Sequence, residues 1–300
     1  VRLLTKEKKL RLGSFLSISR GLPRAATMAR EIGANTFQFF TRNPRGGAAR
    51  AIPEREIKKW LAVREELDIF PIVGHLPYTV NMAAPREETR EFARRVLAED
   101  LERMTAIGAE FLVVHPGSHA GAGRETGLRR ILTTLAELFL PYQGPSCLLL
   151  ETMAGQGSEL GSLEDLAFII TELGHPPRLG ICLDTCHIFA AGYDLHQKGE
   201  VDRLLEEVDR GIGLERLGVI HINDSKYPAG SRRDRHERIG RGHLGREGIM
   251  NVITHPDLAR LPFLLETTVD DYREYGEEID LIKGWLAEEQ ASRWPRPARG

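Results

Sequence analysis

The feature that most limits what this chain can fold into is a repeating unit. Short apolar runs rich in β-branched residues alternate with amphipathic stretches, the pattern of strands alternating with helices. The strand candidates are Leu10–Ile18, Thr36–Phe40, Phe70–His75, Glu110–His115, Cys147–Glu151, Leu179–Asp184, Gly218–Ile222 and Pro262–Glu266. Helical patterns between them stop at glycines: Leu22–Ile32 at Gly33, Glu87–Ile107 at Gly108, and Leu163–Leu173 at Gly174. A glycine just past the last periodic residue supplies the left-handed conformation that ends a helix. Ser162 with Asp165 three residues on reads as a capping box.

Runs such as LVV (112–114) and LLL (148–150) are apolar on both faces, as strands of a covered parallel sheet must be. Eight such units in 300 residues match the size of an α/β fold of the (β/α)8 TIM-barrel type, with its active site at the C-terminal face of the strands. An open doubly wound sheet is the alternative, but no GxGxxG follows the first strand, and eight regular units favour closure. The expected organisation is a single domain over residues 1–300, with the barrel from about 10 to 287, a short N-terminal extension and a basic C-terminal tail.

Composition excludes several classes. With 41% hydrophobic and 28% charged residues, the balance is that of a soluble globular protein. No apolar run approaches the ~18 residues of a membrane span, and VRLLTKEKKLRLG at the start is too charged for a signal-peptide core. A cytoplasmic monomer with no membrane partner is expected. Cys147, Cys182 and Cys186 lie in or beside apolar runs, which fits buried free thiols in a reducing compartment. The net charge of −2 carries no nucleic-acid signature. The basic residues are uneven, however: residues 226–246 read KYPAGSRRDRHERIGRGHLGR. By itself such a run is usually a solvated face.

In a barrel the strand C-termini converge on one face. At the ends of strands three to eight stand His75, His115, Glu151, Asp184, His221 and Glu266, all metal-type ligands. With 43 acidic residues and 10 histidines among 300, chance does not explain six such ends in a row, even with a residue or two of freedom in placing them. Mixed imidazole and carboxylate suits Zn²⁺, Mn²⁺ or Fe²⁺ rather than Mg²⁺ or Ca²⁺. Six ligands exceed one tetrahedral zinc but suffice for two ions sharing a carboxylate, and Glu151, in mid-series, is the expected bridge. His187 follows Asp184 by three residues, and Asp234 and His236 form an i, i+2 pair that points one way in extended chain. His187, Asp234 and His236 would together make a third site.

Several segments in matching order then carry a resemblance: HPGSH (115–119), ETMAGQGSELG (151–161), GICLDTCHIFAAGYDL (180–195), HINDSK (221–226), GSRRDRHERIGRGHLG (230–245) and LLET (264–267). From about Arg11 to Leu286 the chain resembles the endonuclease IV family of zinc-dependent abasic-site endonucleases. The resemblance implies three zinc ions. One is held by His75, His115 and shared Glu151, one by Glu151, Asp184, His221 and Glu266, and one by His187, Asp234 and His236. It implies a DNA-repair hydrolase that cuts duplex DNA 5′ to an abasic site and leaves a 3′-hydroxyl. Glu151 or Glu266 would orient the nucleophile. Arg45 (in TRNPR) and Tyr78 (in HLPYTVN) match the family's DNA-inserting positions, and Arg232, Arg233, Arg235 and Arg238 are expected to contact phosphates. Two departures stand out. The family's GAHxS stretch reads GSFLS here, with Phe15 at the histidine, and Thr79 replaces a usual leucine. A two-metal sugar isomerase or epimerase on the same barrel is the alternative, and it would leave the third set and the arginine-rich loop idle.

Overall fold

The computed structural model describes residues 9–43, 49 and 51–293. Eight parallel strands close a barrel: β1 (Arg11–Phe15), β2 (Thr36–Phe40), β3 (Ile72–His75), β4 (Phe111–Val114), β5 (Cys147–Glu151), β6 (Leu179–Asp184), β7 (Leu217–His221) and β8 (Pro262–Leu265). Each pairs with its sequence neighbours, and β8 returns to β1 with Arg11 opposite Pro262. The eight expected strands are all present. The first and third are shorter than the apolar runs that announced them, because residues beyond Phe15 and before Ile72 pack as loop.

The helices α1 (Leu22–Glu31), α2 (Glu54–Glu66), α3 (Glu87–Ile107), α4 (Arg124–Leu138), α5 (Leu163–Glu172), α6 (Thr185–Ala191), α7 (Lys198–Gly211), α8 (Gly245–Ile253) and α9 (Glu274–Arg293) follow the strands in turn. β6 is followed by two of them, and the extra short helix α6 carries His187. The helix stops behave as the sequence indicates. Gly108 ends α3 in the left-handed conformation at φ 66°. Ser162 and Asp165 form the reciprocal capping box of α5, satisfying amide donors that a helix start otherwise leaves open.

Two apolar layers result. A large cluster between strands and helices includes Phe37, Phe39, Trp60, Leu148 and Leu150. A smaller one fills the barrel: Val73, Phe111, Val113, Leu149, Cys182, Val219 and Leu264. Because strand side chains alternate between faces, the position two beyond each inner residue faces inward again. Counting two on from Val73, Val113, Leu149, Cys182, Val219 and Leu264 gives His75, His115, Glu151, Asp184, His221 and Glu266. The apolar plug therefore dictates which way these six side chains point. Two short antiparallel pairs decorate the same end: Gly117–Ser118 with Glu159–Leu160, and Asp224–Ser225 with His236–Glu237.

Candidate metal centre

His75, Glu151, Asp184 and His221 end their strands, and His115 and Glu266 follow theirs by one residue. Glu151 lies at the middle of the cluster. His75 Nε2 is 3.0 Å and His115 Nε2 3.3 Å from its Oε2, while His221 Nδ1 is 3.1 Å from its Oε1. His221 Nδ1 also lies 3.0 Å from Glu266 Oε2. His187 Nε2 and His236 Nε2 converge on Asp234 Oδ1 at 3.2 and 3.6 Å. The donor atoms form three compact sets, His75–His115–Glu151, Glu151–Asp184–His221–Glu266 and His187–Asp234–His236, each within 4.8 Å throughout. Asp184, Cys186 and His236 form a further overlapping group. All nine ligand candidates from the sequence are thus brought to one place.

The outer ring nitrogens show how these histidines are prepared. His75 Nδ1 is 2.5 Å from the Leu76 carbonyl, His187 Nδ1 2.8 Å from the Thr152 carbonyl, and His236 Nδ1 3.1 Å from the Glu266 carbonyl. His221 Nε2 is 2.9 Å from Gln38 Oε1. A carbonyl only accepts, so each of these outer nitrogens donates; the inner nitrogen is then free to bind a metal ion or, in the metal-free chain, to carry a second proton toward the facing carboxylate. Those inner nitrogens face carboxylate oxygens. The Nε2 atoms of His187 and His236 are buried with no hydrogen-bond partner among the described residues. Imidazole nitrogens aimed at carboxylates in a buried site call for positive charge between them, a proton or a metal ion.

Proton affinities report the same field. Burial alone would raise the Glu151 carboxyl, but the charges of His221 and His115 hold it well below the usual range. Burial alone would lower the His187 imidazole, and the charges of Asp184 and Asp234 raise it well above the ordinary value. His221 is raised in the same way against its burial, by the charges of Glu266 and Glu151. Cys186 is a buried free thiol, pushed up to about 12 by burial and by Asp184.

A cavity of about 320 Å³ opens onto the cluster and is lined in part by Phe15, Phe40 and Tyr78. Phe15 and Phe40 have ring centroids 4.4 Å apart, and Tyr78, 60% exposed, meets Phe40 edge-on at 6.4 Å. A neighbouring cavity of about 620 Å³ shares Phe15 and Phe40. It is larger, but its described lining holds no group of metal-type donors, so the chemistry rather than the size marks the site.

Arg232, Arg233 and Arg235 are exposed on the loop that carries Asp234 and His236. The Arg233 guanidinium sits 4.8 Å over the Tyr227 ring, and Arg235 donates to the Asp234 carbonyl. Arg238 departs from the expectation for this loop: it pairs with Glu274 at 2.7 Å and Glu277 at 3.2 Å, which ties the loop to α9 rather than leaving a cation for phosphate. Arg45 lies outside the described residues. Sequence reading passed over Gln38 and Asn223. Gln38 Nε2 donates to Glu266 Oε1 (2.5 Å). Asn223 donates to Asp184 Oδ2 (2.7 Å) and accepts from the Glu266 amide (2.8 Å). Gln38 carried one signal, a polar residue between phenylalanines at an inward position of β2, and Asn223, past the end of β7, carried none.

Residues 26–288 match the family model described as xylose isomerase-like TIM barrel, which fixes the class. The chain is 54% identical over 275 residues to a protein of Moorella thermoacetica named probable endonuclease 4, covering 91% of this chain and 98% of that one. The crystal structure of endonuclease IV from Thermus thermophilus aligns with a TM-score of 0.80 at 36% identity, over 93% of this chain and 99% of that one. The chain belongs to the endonuclease IV family. A D-tagatose 3-epimerase-like protein aligns over 93% of this chain and 99% of its own with a TM-score of 0.69 at 18% identity, a likeness of fold alone.

Proposed function

We infer that this chain is a metal-dependent endonuclease that hydrolyses the phosphodiester 5′ to an abasic site in duplex DNA, leaving a 3′-hydroxyl, with three zinc ions held by nine side chains. The observation that carries the reading is the set of inward imidazole nitrogens facing carboxylates in a buried cluster. This donor set fits divalent zinc: imidazole and carboxylate only, pre-oriented by outer hydrogen bonds. His75, His115 and Glu151 would hold one ion. Glu151, Asp184, His221 and Glu266 would hold the second, and His187, Asp234 and His236 the third. When bound, such ions neutralise a phosphate, lower the pKa of water towards about 7 and stabilise a departing oxygen.

The chain's own groups divide the remaining work. Glu151 is fully buried with both oxygens engaged by imidazoles, so its part is to hold the first two sets together. The Glu266 side chain keeps 14% exposure at the cavity and is fixed by Gln38. It accepts a hydrogen bond from the attacking water and aims that water's oxygen at phosphorus. Exposed Arg232, Arg233 and Arg235 supply sequence-independent attraction for the DNA backbone. Tyr78, together with Arg45, fills the gap left by a missing base, and wedging of this kind stabilises kinked DNA. Selectivity follows because a nucleotide without a base is easily extruded.

A sugar epimerase on this barrel would use the strand-end six and leave the third set and its arginine-bearing loop without a task. The two readings separate in one experiment. Purified protein, stripped with chelator and then reloaded with Zn²⁺, is incubated with a duplex carrying one abasic site. Zinc-dependent cutting at that site supports the reading; an intact duplex under all conditions sinks it.

A further inference from the structure

Asp224 is not a member of any of the three donor sets, yet it is fully buried and its carboxylate is heavily engaged. Oδ1 accepts from the amides of Ser225 (2.8 Å), Leu244 (2.9 Å) and Gly245 (3.1 Å). Oδ2 accepts from the amides of Gly240 (2.9 Å) and Gly242 (3.0 Å), with Gly245 shared at 3.2 Å. Five main-chain N–H groups converging on one carboxylate form an anion nest, here occupied by a side chain of the same protein. Hydrogen bonds to a charged acceptor are each worth more than neutral ones, and a buried charge without them is strongly disfavoured.

The chain path gives the nest its meaning. Asp224–Ser225 leaves β7 and pairs antiparallel with His236–Glu237, with Ser225 opposite His236. The chain then runs out through Arg232–Arg235 and returns at Gly240–Gly245, where α8 begins. Both feet of the loop bearing Asp234 and His236 therefore rest on a single carboxylate. The His243 amide adds a bond to the Ser225 carbonyl at 2.7 Å. The approach is close enough that a Cβ at residue 242 would overlap Asp224 Oδ1 and the Ser225 carbonyl, so only glycine fits there.

We propose that Asp224 is a positioning residue, a clasp that closes the loop and sets Asp234 and His236 at the distance from His187 needed to hold the third ion. The proposal rests on the three-ion reading for its consequence but not for its geometry. His187 stands on α6, an element separate from the loop, so the third set is complete only when the loop is held in register against that helix. The other two sets draw on strand ends, and the Asp224 carboxylate makes no bond to any of their donors. An asparagine at 224 keeps the shape but turns one acceptor into an NH₂ donor facing amide donors. The loop then loses two or more bonds at its feet.

The test uses the full chain, stripped with chelator and titrated with Zn²⁺ by equilibrium dialysis, with amide hydrogen exchange on the metal-free protein in parallel. The wild type is expected to bind three ions. Asp224→Asn should weaken the third by roughly 10- to 100-fold, the usual effect of losing an outer support of a metal ligand, and leave the first two unchanged. Gly242→Ala breaks the same clasp from the opposite side, so it should give the same phenotype, and the double variant should be no worse than either single one. In the wild type the amides of Gly240, Gly242 and Leu244 should exchange slowly, and in both variants rapidly. Unchanged affinity for all three ions, or an equal loss at all three, overturns the proposal. If the wild type binds only two ions, the three-ion reading fails, and the exchange arm decides the clasp. Should Asp224→Asn not fold, Gly242→Ala and the wild-type exchange rates carry the same decision.

Discussion

The two parts of the candidate centre are built differently. Six side chains project from barrel strand ends, aimed by an apolar plug two residues beneath them. The other three come from a short helix and a loop: His187 from α6, Asp234 and His236 from the arginine-bearing excursion after β7. In the strand part Glu151, Asp184 and His221 are fully buried. In the loop part His187 is buried, but Asp234 and His236 keep 29% and 15% side-chain exposure. The two parts differ in support rather than in exposure, since His115 and Glu266 of the strand part keep 24% and 14%. Sites on strands are held more tightly than sites on loops, so damage to each part should have a different signature.

The largest effect is expected from Glu151→Gln, which keeps the shape and removes the charge shared by two donor sets. Turnover on abasic duplex should fall by about a thousandfold or more, the scale of losing a central electrostatic contact. Circular dichroism should remain that of the folded barrel. Near-normal turnover would mean that the strand part is not the seat of the reaction.

Asp234→Asn should fall short of that, at roughly a hundredfold, because it leaves the strand-end donors intact. Zinc analysis should show one ion fewer than in the wild type. A loss equal to that of Glu151→Gln would erase the distinction between the two parts.

Removing the aromatic wedge with Tyr78→Ala should spare zinc content and reduce the preference for abasic over intact duplex by about 5- to 100-fold, since stacking on a base is worth roughly 1–3 kcal/mol. Paired binding titrations check it, and equal weakening on both duplexes would make Tyr78 a scaffold residue. The smallest change is expected from Arg235→Gln. Abasic and intact DNA should weaken alike, with the salt slope flatter by about one unit. An unchanged slope would remove this arginine from the backbone contacts.

The same contrast explains what the sequence disclosed. Strand runs and inward parity are periodic, so the barrel and the six strand-end residues could be read from spacing. His187, Asp234 and His236 gave no periodic signal and stood on proximity in sequence and on resemblance. Gln38 and Asn223 were missed because an amide that steadies a ligand has no distinctive residue type, and its role exists only in the folded arrangement. Arg238 was grouped with its loop neighbours by composition, yet its partners Glu274 and Glu277 come from α9, a pairing that local charge cannot foretell.

The central claim, that buried imidazoles and carboxylates serve zinc-dependent cleavage beside a missing base, is tested most directly by end-labelled duplex DNA with one abasic site. The chelator-stripped protein should leave the duplex intact. Reloading with Zn²⁺ should restore a single cut 5′ to the abasic sugar, with a 3′-hydroxyl that a polymerase can extend. Cutting that persists without metal, or an end that cannot be extended, would contradict the account.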